Sequence, residues 1–282
     1  MDEFAIRTLL LSPLDRKIED IMDRQFVSLN AHRPEEEAIQ IFKKYSSRTA
    51  LPVIDEGGFL LGIVTIDDIL LLAEKETTED IHKLGGVEAL TKPYLDSPLM
   101  EMVRKRAVWL MVLFLGEMLT ASAMGYFQVE ISKAVVLALF IPLIISSGGN
   151  SGSQAASLVI RALALNEVRF EDWWIVFRRE ILVGLILGGA LGLVGCLRII
   201  IWSAFSSTYG DHWFLLAVTV YLSLVFVVAW GTLIGALFPL ILKRLGADPA
   251  TSSAPFVATF IDVTGIVIYF NIALLLLKGK LL

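Results

Sequence analysis

The sequence is poor in the residue types on which most catalytic and metal sites depend. Cys196 is its only cysteine, which excludes an intrachain disulfide and leaves no pair for a cysteine-based metal site. The three histidines, His32, His82 and His212, are scattered, and no Ser-His-Asp, HExxH or phosphate-loop pattern accompanies them. We therefore expect a protein that is not an enzyme.

The first hundred residues also lack a secretory signal and a basic surface. Residues 1–11 have neither a basic start nor a small-residue cleavage site, so they do not form a signal peptide. Residues 1–100, called the head below, hold 19 acidic and 11 basic residues, whereas residues 101–282 hold 10 and 13. An acidic head argues against binding nucleic acid and is compatible with binding cations. We expect the head to stay in the cytosol.

The rest of the chain is rich in long apolar stretches. The whole sequence is 56% hydrophobic with a mean hydropathy of +0.70, too apolar for an ordinary soluble domain. Five stretches reach about 20 residues or more, the length that crosses roughly 30 Å of hydrocarbon. They are residues 107–127, 134–165, 181–205, 213–242 and 256–277. We predict an α-helical membrane bundle of five transmembrane helices with a small cytosolic α/β domain.

The basic residues predict which side of a cell membrane each end faces, because cytoplasmic loops carry the Lys and Arg excess. They cluster before the first stretch, between the second and third, and between the fourth and fifth. These are Arg104, Lys105, Arg106, Arg161, Arg169, Arg178, Arg179, Lys243 and Arg244. Residues 126–132 and 206–212 carry few. We expect a cytosolic N-terminus and an external C-terminus.

The head has the pattern of one small β-α-β-β-α unit. Residues 27–29 predict a strand, and Pro34 followed by three glutamates predicts a helix start. Residues 51–54 and 59–64 predict two strands of a hairpin, and a helix is expected over 66–73. The polar residues 74–101 are interpreted as a helical connector. So small a core often needs a partner to cover its sheet.

Asp262, in the first half of the fifth apolar stretch, is the leading candidate for function. A carboxylate in hydrocarbon costs several kcal/mol unless it faces water, a cation or a partner. At helical spacing, Ala258, Thr259, Asp262 and Gly265 form one small and polar stripe, which suits the wall of a water-filled pore. The alternative is that Asp262 caps a broken helix or pairs with a basic neighbour such as Arg161 or Arg198.

A Gly- and Ser-rich segment at residues 146–154, preceded by Pro142, is the second candidate. Gly and Pro can break a spanning helix, and unwound backbone at membrane depth survives only in protein or around a cavity. Its carbonyl groups, with Asn150 and Gln154, would then hold the waters of a hydrated cation. Magnesium sheds water reluctantly and favours oxygen ligands. Gly149, Asn150 and Gly152 would line this ion pathway. Close helix packing through small residues explains the segment equally well.

Other membrane residues suggest packing or remain open. Gly184, Gly188 and Gly192 repeat every four residues, which predicts a helix-packing face. Glu117, an acid in the first stretch, either lines the pathway or pairs within the bundle.

Several acids outside the apolar stretches could share divalent ions. They are Glu74, Glu76, Glu79 and Asp80 in the connector, and Asp248 before the last stretch. A solvated charged helix face is the alternative interpretation.

Together these patterns resemble the MgtE family of magnesium channels over nearly the whole chain. Residues 140–142, 148–154 and 161–164 are similar to that family's second span, and 246–250 with 255–265 to its last. Residues 51–55 and 62–69 resemble its second CBS domain, and 78–84 the start of its connecting plug helix.

The resemblance implies a homodimer with a central pore that passes hydrated Mg²⁺, with Asp262 of each subunit near the ion and the Ala258 carbonyl close by. Regulatory Mg²⁺ would bridge Glu76, Glu79, Asp80 and Asp248. In CBS domains generally, positions such as Thr65 and Asp68 can contact an adenine nucleotide, including ATP. Related proteins can pass other divalent ions, here Co²⁺, Mn²⁺ or Ca²⁺.

The resemblance also sets the expected domains and one departure. We expect a remnant of a preceding CBS unit at 1–20, a CBS domain at 21–74, a plug-like connecting helix at 75–103 and an ion-conducting domain at 104–282. The chain is either a naturally short member or a fragment with a single complete CBS domain. Ala254 replaces an Asn expected before Pro255, which removes one oxygen near the ion path. A membrane sensor that does not conduct is the competing function.

Overall fold

The structure, a computed structural model, describes residues 6–21, 26–45 and 48–282. Predictions that fall on residues 1–5, 22–25 and 46–47 lie outside the described residues. The chain forms two compact units, Met1–Thr78 and Glu79–Leu282, each described by itself below.

The first unit is a small α/β domain. Its strands form one sheet in the order β1-β2-β3, with β1 parallel to β2 and β3 antiparallel to it. The elements are α1 (Ile6–Leu11), β1 (Leu29–Asn30), α2 (Glu35–Lys44), β2 (Ala50–Ile54), β3 (Leu60–Thr65) and the first part of α3 (Ile66–Leu84). The predicted β-α-β-β-α order is confirmed, with the first strand two residues later than expected.

A few apolar side chains and one tight hairpin hold this unit together. Leu29, Phe42, Leu51 and Ile69 form its buried core. The β2–β3 hairpin closes where the Asp55 carboxylate accepts a hydrogen bond from the backbone N–H of Phe59 at 2.8 Å. By contrast, the apolar side chains of Phe59, Leu60, Leu61 and Ile63 are exposed along β3.

The helix expected to end near residue 73 instead continues to Leu84. No Gly or Pro interrupts it, and two residues after its last residue Gly86 adopts a left-handed conformation with φ of 69°. There the Gly86 N–H donates to the Lys83 carbonyl at 2.8 Å and the Val87 N–H donates to the His82 carbonyl at 2.9 Å. This is the hydrogen-bond pattern of a Schellman C-cap, which favours glycine.

The prediction of one continuous connecting helix over residues 75–103 was wrong. After α3, residues 85–98 contain only a short 3-10 turn at Tyr94–Asp96, and the next helix begins at Leu99, immediately after Pro98. Glycine at 85 and 86 and proline at 93 and 98 explain the break. The basic run at residues 104–106 therefore lies inside that helix.

The second unit is a helical bundle. Within the described residues, five helical stretches are long and apolar enough to cross a membrane, as predicted. The helices are α4 (Leu99–Tyr126), α5 (Gln128–Lys133), α6 (Val135–Ala138), α7 (Ile141–Ala164), α8 (Trp173–Phe205), α9 (Trp213–Arg244) and α10 (Ala254–Leu277), with α6 and α7 together forming the second stretch.

Helix α9 lies at the centre of the bundle and packs against α7, α8 and α10. The predicted packing face of α8 is confirmed. A Cβ atom on Gly184 would lie 2.6 Å from Ala229 Cα, and one on Gly188 would lie 2.7 Å from Val225 Cα. Gly192 meets Tyr221 in the same way, so the three glycines let α8 approach the α9 backbone.

Candidate ion pathway

The leading candidate, Asp262, lies on α10, whose start is fixed by its sequence. The Ser253 hydroxyl caps the first turn by accepting a hydrogen bond from the Phe256 N–H at 3.4 Å, and Pro255 supplies a backbone angle suited to a first turn. Asp262 follows about two turns later and is half-buried, as are Ala258 and Thr259. These three residues therefore share one small and polar face of α10.

Helix α7 meets this face at Gly149. A Cβ atom on Gly149 would lie 3.5 Å from Ala258 Cβ and 4.0 Å from Asp262 Oδ1. Three predicted pathway residues, Gly149 of α7 and Ala258 and Asp262 of α10, are thus brought together from distant parts of the sequence. The next residue, Asn150, is exposed, and its side-chain amide donates to Ser146 Oγ at 3.4 Å.

The prediction that the backbone unwinds at residues 146–154 is wrong. Helix α7 runs without a break through this segment, so its carbonyl groups are engaged within the helix. Pro142 does not interrupt a helix, because it stands in the first turn of α7, where its missing N–H costs nothing. The glycines serve close packing instead.

Gly152 and Gly265 are buried in the bundle interior. A Cβ atom on Gly152 would lie 2.9 Å from the Gly231 carbonyl oxygen of α9. One on Gly265 would lie 3.3 Å from Val227 Cγ1, also on α9. The burial of Gly152 favours close helix packing, which was the alternative left open for residues 146–154.

An open groove lies along α7 beyond Asn150. It has a volume of about 520 Å³ and is lined by Ser153, Gln154, Ser157 and Leu158. The Ser153 hydroxyl also donates to the Ala254 carbonyl at 3.0 Å, which ties the groove to the first residue of α10. Hydroxyl and amide groups of this kind can exchange hydrogen bonds with the waters of a hydrated ion.

Pairing with a basic residue does not account for Asp262. Within residues 6–21, 26–45 and 48–282, no Lys or Arg forms a salt bridge with it, so neither Arg161 nor Arg198 neutralises its charge. Its close titratable neighbour is Glu117 of α4, whose carboxyl group lies within hydrogen-bonding reach. The sequence singles out Glu117 as an acid at membrane depth but does not connect it with Asp262.

The acids of the predicted regulatory site are only partly brought together. The ammonium group of Lys83 lies between Glu79 Oε1 and Asp248 Oδ2, at 2.7 Å from each. Asp248 also accepts a hydrogen bond from the Ala250 N–H at 2.9 Å. Glu76 and Asp80 make interactions of their own. Among the described residues, no group of three or more His, Cys, Asp or Glu is arranged to hold a metal ion.

Lys83 is strongly held in its charged form. Partial burial opposes the charge, but the hydrogen bonds and charges of Asp248 and Glu79 outweigh it and raise the pKa of Lys83 above its usual value. A raised lysine pKa contributes stability at neutral pH that would be lost only as the pH rises through the folded-state value. This bridge is therefore insensitive to pH across the physiological range.

In the head, Thr65 and Asp68 contact each other at the start of α3. The Asp68 carboxylate accepts hydrogen bonds from the Thr65 hydroxyl at 2.6 Å and from its N–H at 3.2 Å. Both hydrogen bonds lower the pKa of Asp68, and the bond from the Thr65 hydroxyl has the larger effect. A separate cavity of about 360 Å³ in the same unit is lined in part by Asn30, Arg33 and Val64.

The fold and the site define a class: a multi-pass membrane protein that carries an unneutralised carboxylate within its helical bundle and a small α/β domain before it. Comparison with known proteins shows which families the chain resembles. Residues 141–272 match the family model described as MgtE, divalent cation transporter, and residues 18–75 match the CBS domain. The resemblance to the MgtE family is confirmed: a region similar to the MgtE family model follows a region similar to the CBS domain.

Three curated relatives carry the name magnesium transporter MgtE. The protein of Thermus thermophilus is 39% identical over 277 residues, which cover 98% of this chain and 59% of that protein. Those of Enterococcus faecalis and Bacillus subtilis are 31% and 30% identical, covering 97% and 95% of this chain and 58% and 57% of their own length. The chain thus spans less than two thirds of the length of these relatives.

Proposed function

We propose that this chain transports Mg²⁺ through a pathway in its membrane domain, with Asp262 as the residue that attracts the ion. The observation that carries the proposal is the position of Asp262, half-buried in a spanning helix and without a basic partner among the described residues. The names of the curated relatives support the choice of Mg²⁺. Co²⁺, Mn²⁺ and Ca²⁺ are expected to compete, since they favour the same oxygen ligands to differing degrees.

The pathway is formed by the small face of α10 and the adjoining part of α7. Asp262, Ala258 and Thr259 supply one wall, and Gly149 with Asn150 supply the other. On the resemblance to the MgtE family, we propose a homodimer in which each subunit contributes one Asp262. Mg²⁺ keeps several of its waters and needs only one or two carboxylates, which suits such a site.

We propose that the chain is oriented with its N-terminus and the acidic head in the cytosol and its C-terminus outside. An inward-negative membrane potential then drives a dication into the cell with about 4.6 kcal/mol per 100 mV. Passive flow down this gradient accounts for uptake without a second coupled ion.

The competing function is a membrane sensor in which the CBS domain binds a nucleotide and the membrane domain does not conduct. One experiment separates the two. The purified chain alone is placed in liposomes under an inward-directed Mg²⁺ gradient, and entry is followed with a fluorescent Mg²⁺ indicator. We expect influx above that of empty liposomes. Its absence in a folded sample would favour the sensor.

Regulation is proposed at two places outside the membrane. Glu76, Glu79, Asp80 and Asp248 would respond to cytosolic Mg²⁺, and Thr65 with Asp68 would contact an adenine nucleotide such as ATP. The domain limits expected from the resemblance, with a CBS domain at 21–74 and an ion-conducting domain from residue 104, are proposed on the same grounds.

Lys83 offers a test of the first regulatory site. Replacement of Lys83 by Met removes the cation between Glu79 and Asp248, and the two carboxylates then repel each other. We expect the variant to melt at a lower temperature than the wild type in chelator and to regain stability when Mg²⁺ is added, because the metal replaces the ammonium group. Thermal unfolding in detergent, with and without Mg²⁺, measures both effects.

The matched control for this test is Lys75→Met, which changes an exposed lysine of the same helix. It should melt like the wild type under both conditions. Equal melting of Lys83→Met with and without Mg²⁺ would argue against a divalent site between Glu79 and Asp248.

A further inference from the structure

Glu117 lies where helices α4 and α10 pack closely against each other. A Cβ atom on Gly116 would lie 2.6 Å from Thr259 Cγ2, so the two helices touch immediately beside Glu117. Thr259 precedes Asp262 by three residues and therefore lies on the same face of α10. The helix packing thus holds the Glu117 and Asp262 carboxyl groups side by side.

No basic side chain in the described part of the chain forms a salt bridge with either acid of this pair. Two carboxyl groups this close repel each other when both are charged, and either a shared proton or a cation relieves the repulsion. At membrane depth that repulsion is weakly screened by solvent. A dication that displaces the shared proton would balance both charges.

An unpaired hydroxyl group near the pair is a separate observation. Thr120 follows Glu117 by one helical turn, on the same face of α4. Its Oγ1 atom is enclosed and has no hydrogen-bond partner among the described residues. Buried hydroxyl groups nearly always have a partner, and the water shell of an ion beside Glu117 would provide one.

We propose that Glu117 is a second cation-binding carboxylate of the pathway and acts with Asp262 on a hydrated divalent ion. The inference rests on the proposed transport function and adds a residue to it. Mg²⁺ is commonly bound through one or two carboxylates while keeping several waters. Asp262 provides the first carboxylate and Glu117 the second, so Glu117 strengthens binding of divalent over monovalent cations.

The test compares Glu117→Gln, which removes the charge at nearly constant shape, with Glu117→Asp, which keeps it. Influx is measured in proteoliposomes of the full chain over a range of Mg²⁺ concentrations and with Na⁺ as competitor. For Glu117→Gln we expect the half-saturating Mg²⁺ concentration to rise by about tenfold, because a unit charge a few Å from a dication contributes strongly even at an effective dielectric constant of about 20. Inhibition by Na⁺ should increase as well.

Two further variants make the result interpretable. Glu117→Asp should stay closer to the wild type than Glu117→Gln, which a purely structural role would not predict. Glu171→Gln, at an exposed acid between α7 and α8, should leave both quantities unchanged. If Glu117→Gln matches Glu171→Gln while Asp262→Asn still abolishes influx, the role of Glu117 is refuted and the proposed function stands.

A wild type without influx would refute the transport function, and binding then decides the inference by itself. Mn²⁺ bound to the detergent-purified chain is counted by electron paramagnetic resonance. Weaker Mn²⁺ binding by Glu117→Gln than by Glu171→Gln would support a divalent site at Glu117. Equal binding would overturn it.

Discussion

Asp262→Asn is expected to reduce Mg²⁺ influx to the level of empty liposomes while the protein keeps its fold. The change removes the negative charge of the side chain and alters its shape very little. We expect a loss of at least about 100-fold, since two opposite unit charges about 4 Å apart attract by about 4 kcal/mol at an effective dielectric constant of about 20. The attraction of a dication to the carboxylate is larger still.

The control for this prediction is Asp211→Asn, which removes an exposed carboxylate from the loop between α8 and α9. It should conduct like the wild type, because Asp211 is far along the chain from the pathway residues and lies outside the spanning helices. Size-exclusion chromatography checks that both variants are folded. Undiminished influx in folded Asp262→Asn would refute the role of Asp262 in attracting the ion, on which the proposed function rests.

Gly235→Ala is expected to destabilise the membrane domain strongly, although it adds only one methyl group. A Cβ atom on Gly235 would lie 2.8 Å from the Gly152 carbonyl carbon and 2.9 Å from Gly152 Cα. These are backbone atoms of α7, so the clash is relieved only if α7 and α9 move apart. We expect the free energy of unfolding to fall by about 1–3 kcal/mol or more, the usual effect of overpacking.

Gly125→Ala is the matched control, because it is the same substitution in another spanning helix. A Cβ atom there would meet nothing within 4 Å. Alanine has the better helix propensity by about 1 kcal/mol, so this variant should be neutral or slightly stabilised. Thermal unfolding in detergent measures both variants. A Gly235→Ala protein as stable as Gly125→Ala would mean that α7 and α9 pack more loosely at Gly235 than these distances indicate.

The spanning helices could be predicted from the sequence because each is long, apolar and bounded by polar or Gly- and Pro-containing segments. The end of α3 could not, since residues 66–84 contain no breaker and the apolar pattern of the head stops well before the helix does. The α9 pair Gly231 and Gly235 also escaped prediction. Its four-residue spacing matches that of Gly148 and Gly152, and this match in the sequence could have predicted that the two pairs pack against each other.

The site could be predicted only in part, for a physical reason. Asp262 is conspicuous because an acid in an apolar stretch is costly, and that argument needs no knowledge of its neighbours. The role of the Gly-rich segment depended on whether the backbone unwinds there. Helix α7 stays intact because its glycines fit against Val227 and Gly231 of α9, a gain from packing that a single segment does not reveal. The partner of Glu117 likewise lies on a helix distant in sequence.

The contact made by Gly86 has a mechanical consequence. A Cβ atom there would lie 2.6 Å from Trp109 Nε1, and this indole N–H donates to Ser253 Oγ at 3.1 Å. Ser253 caps α10, and Asp262 follows nine residues later, about 13 Å along the helix axis. A displacement of the backbone at Gly86 is therefore transmitted through the indole ring of Trp109 to the N-terminal end of α10. Because α10 is one continuous helix, a displacement at its N-terminal end would also shift Asp262 relative to Gly149 of α7.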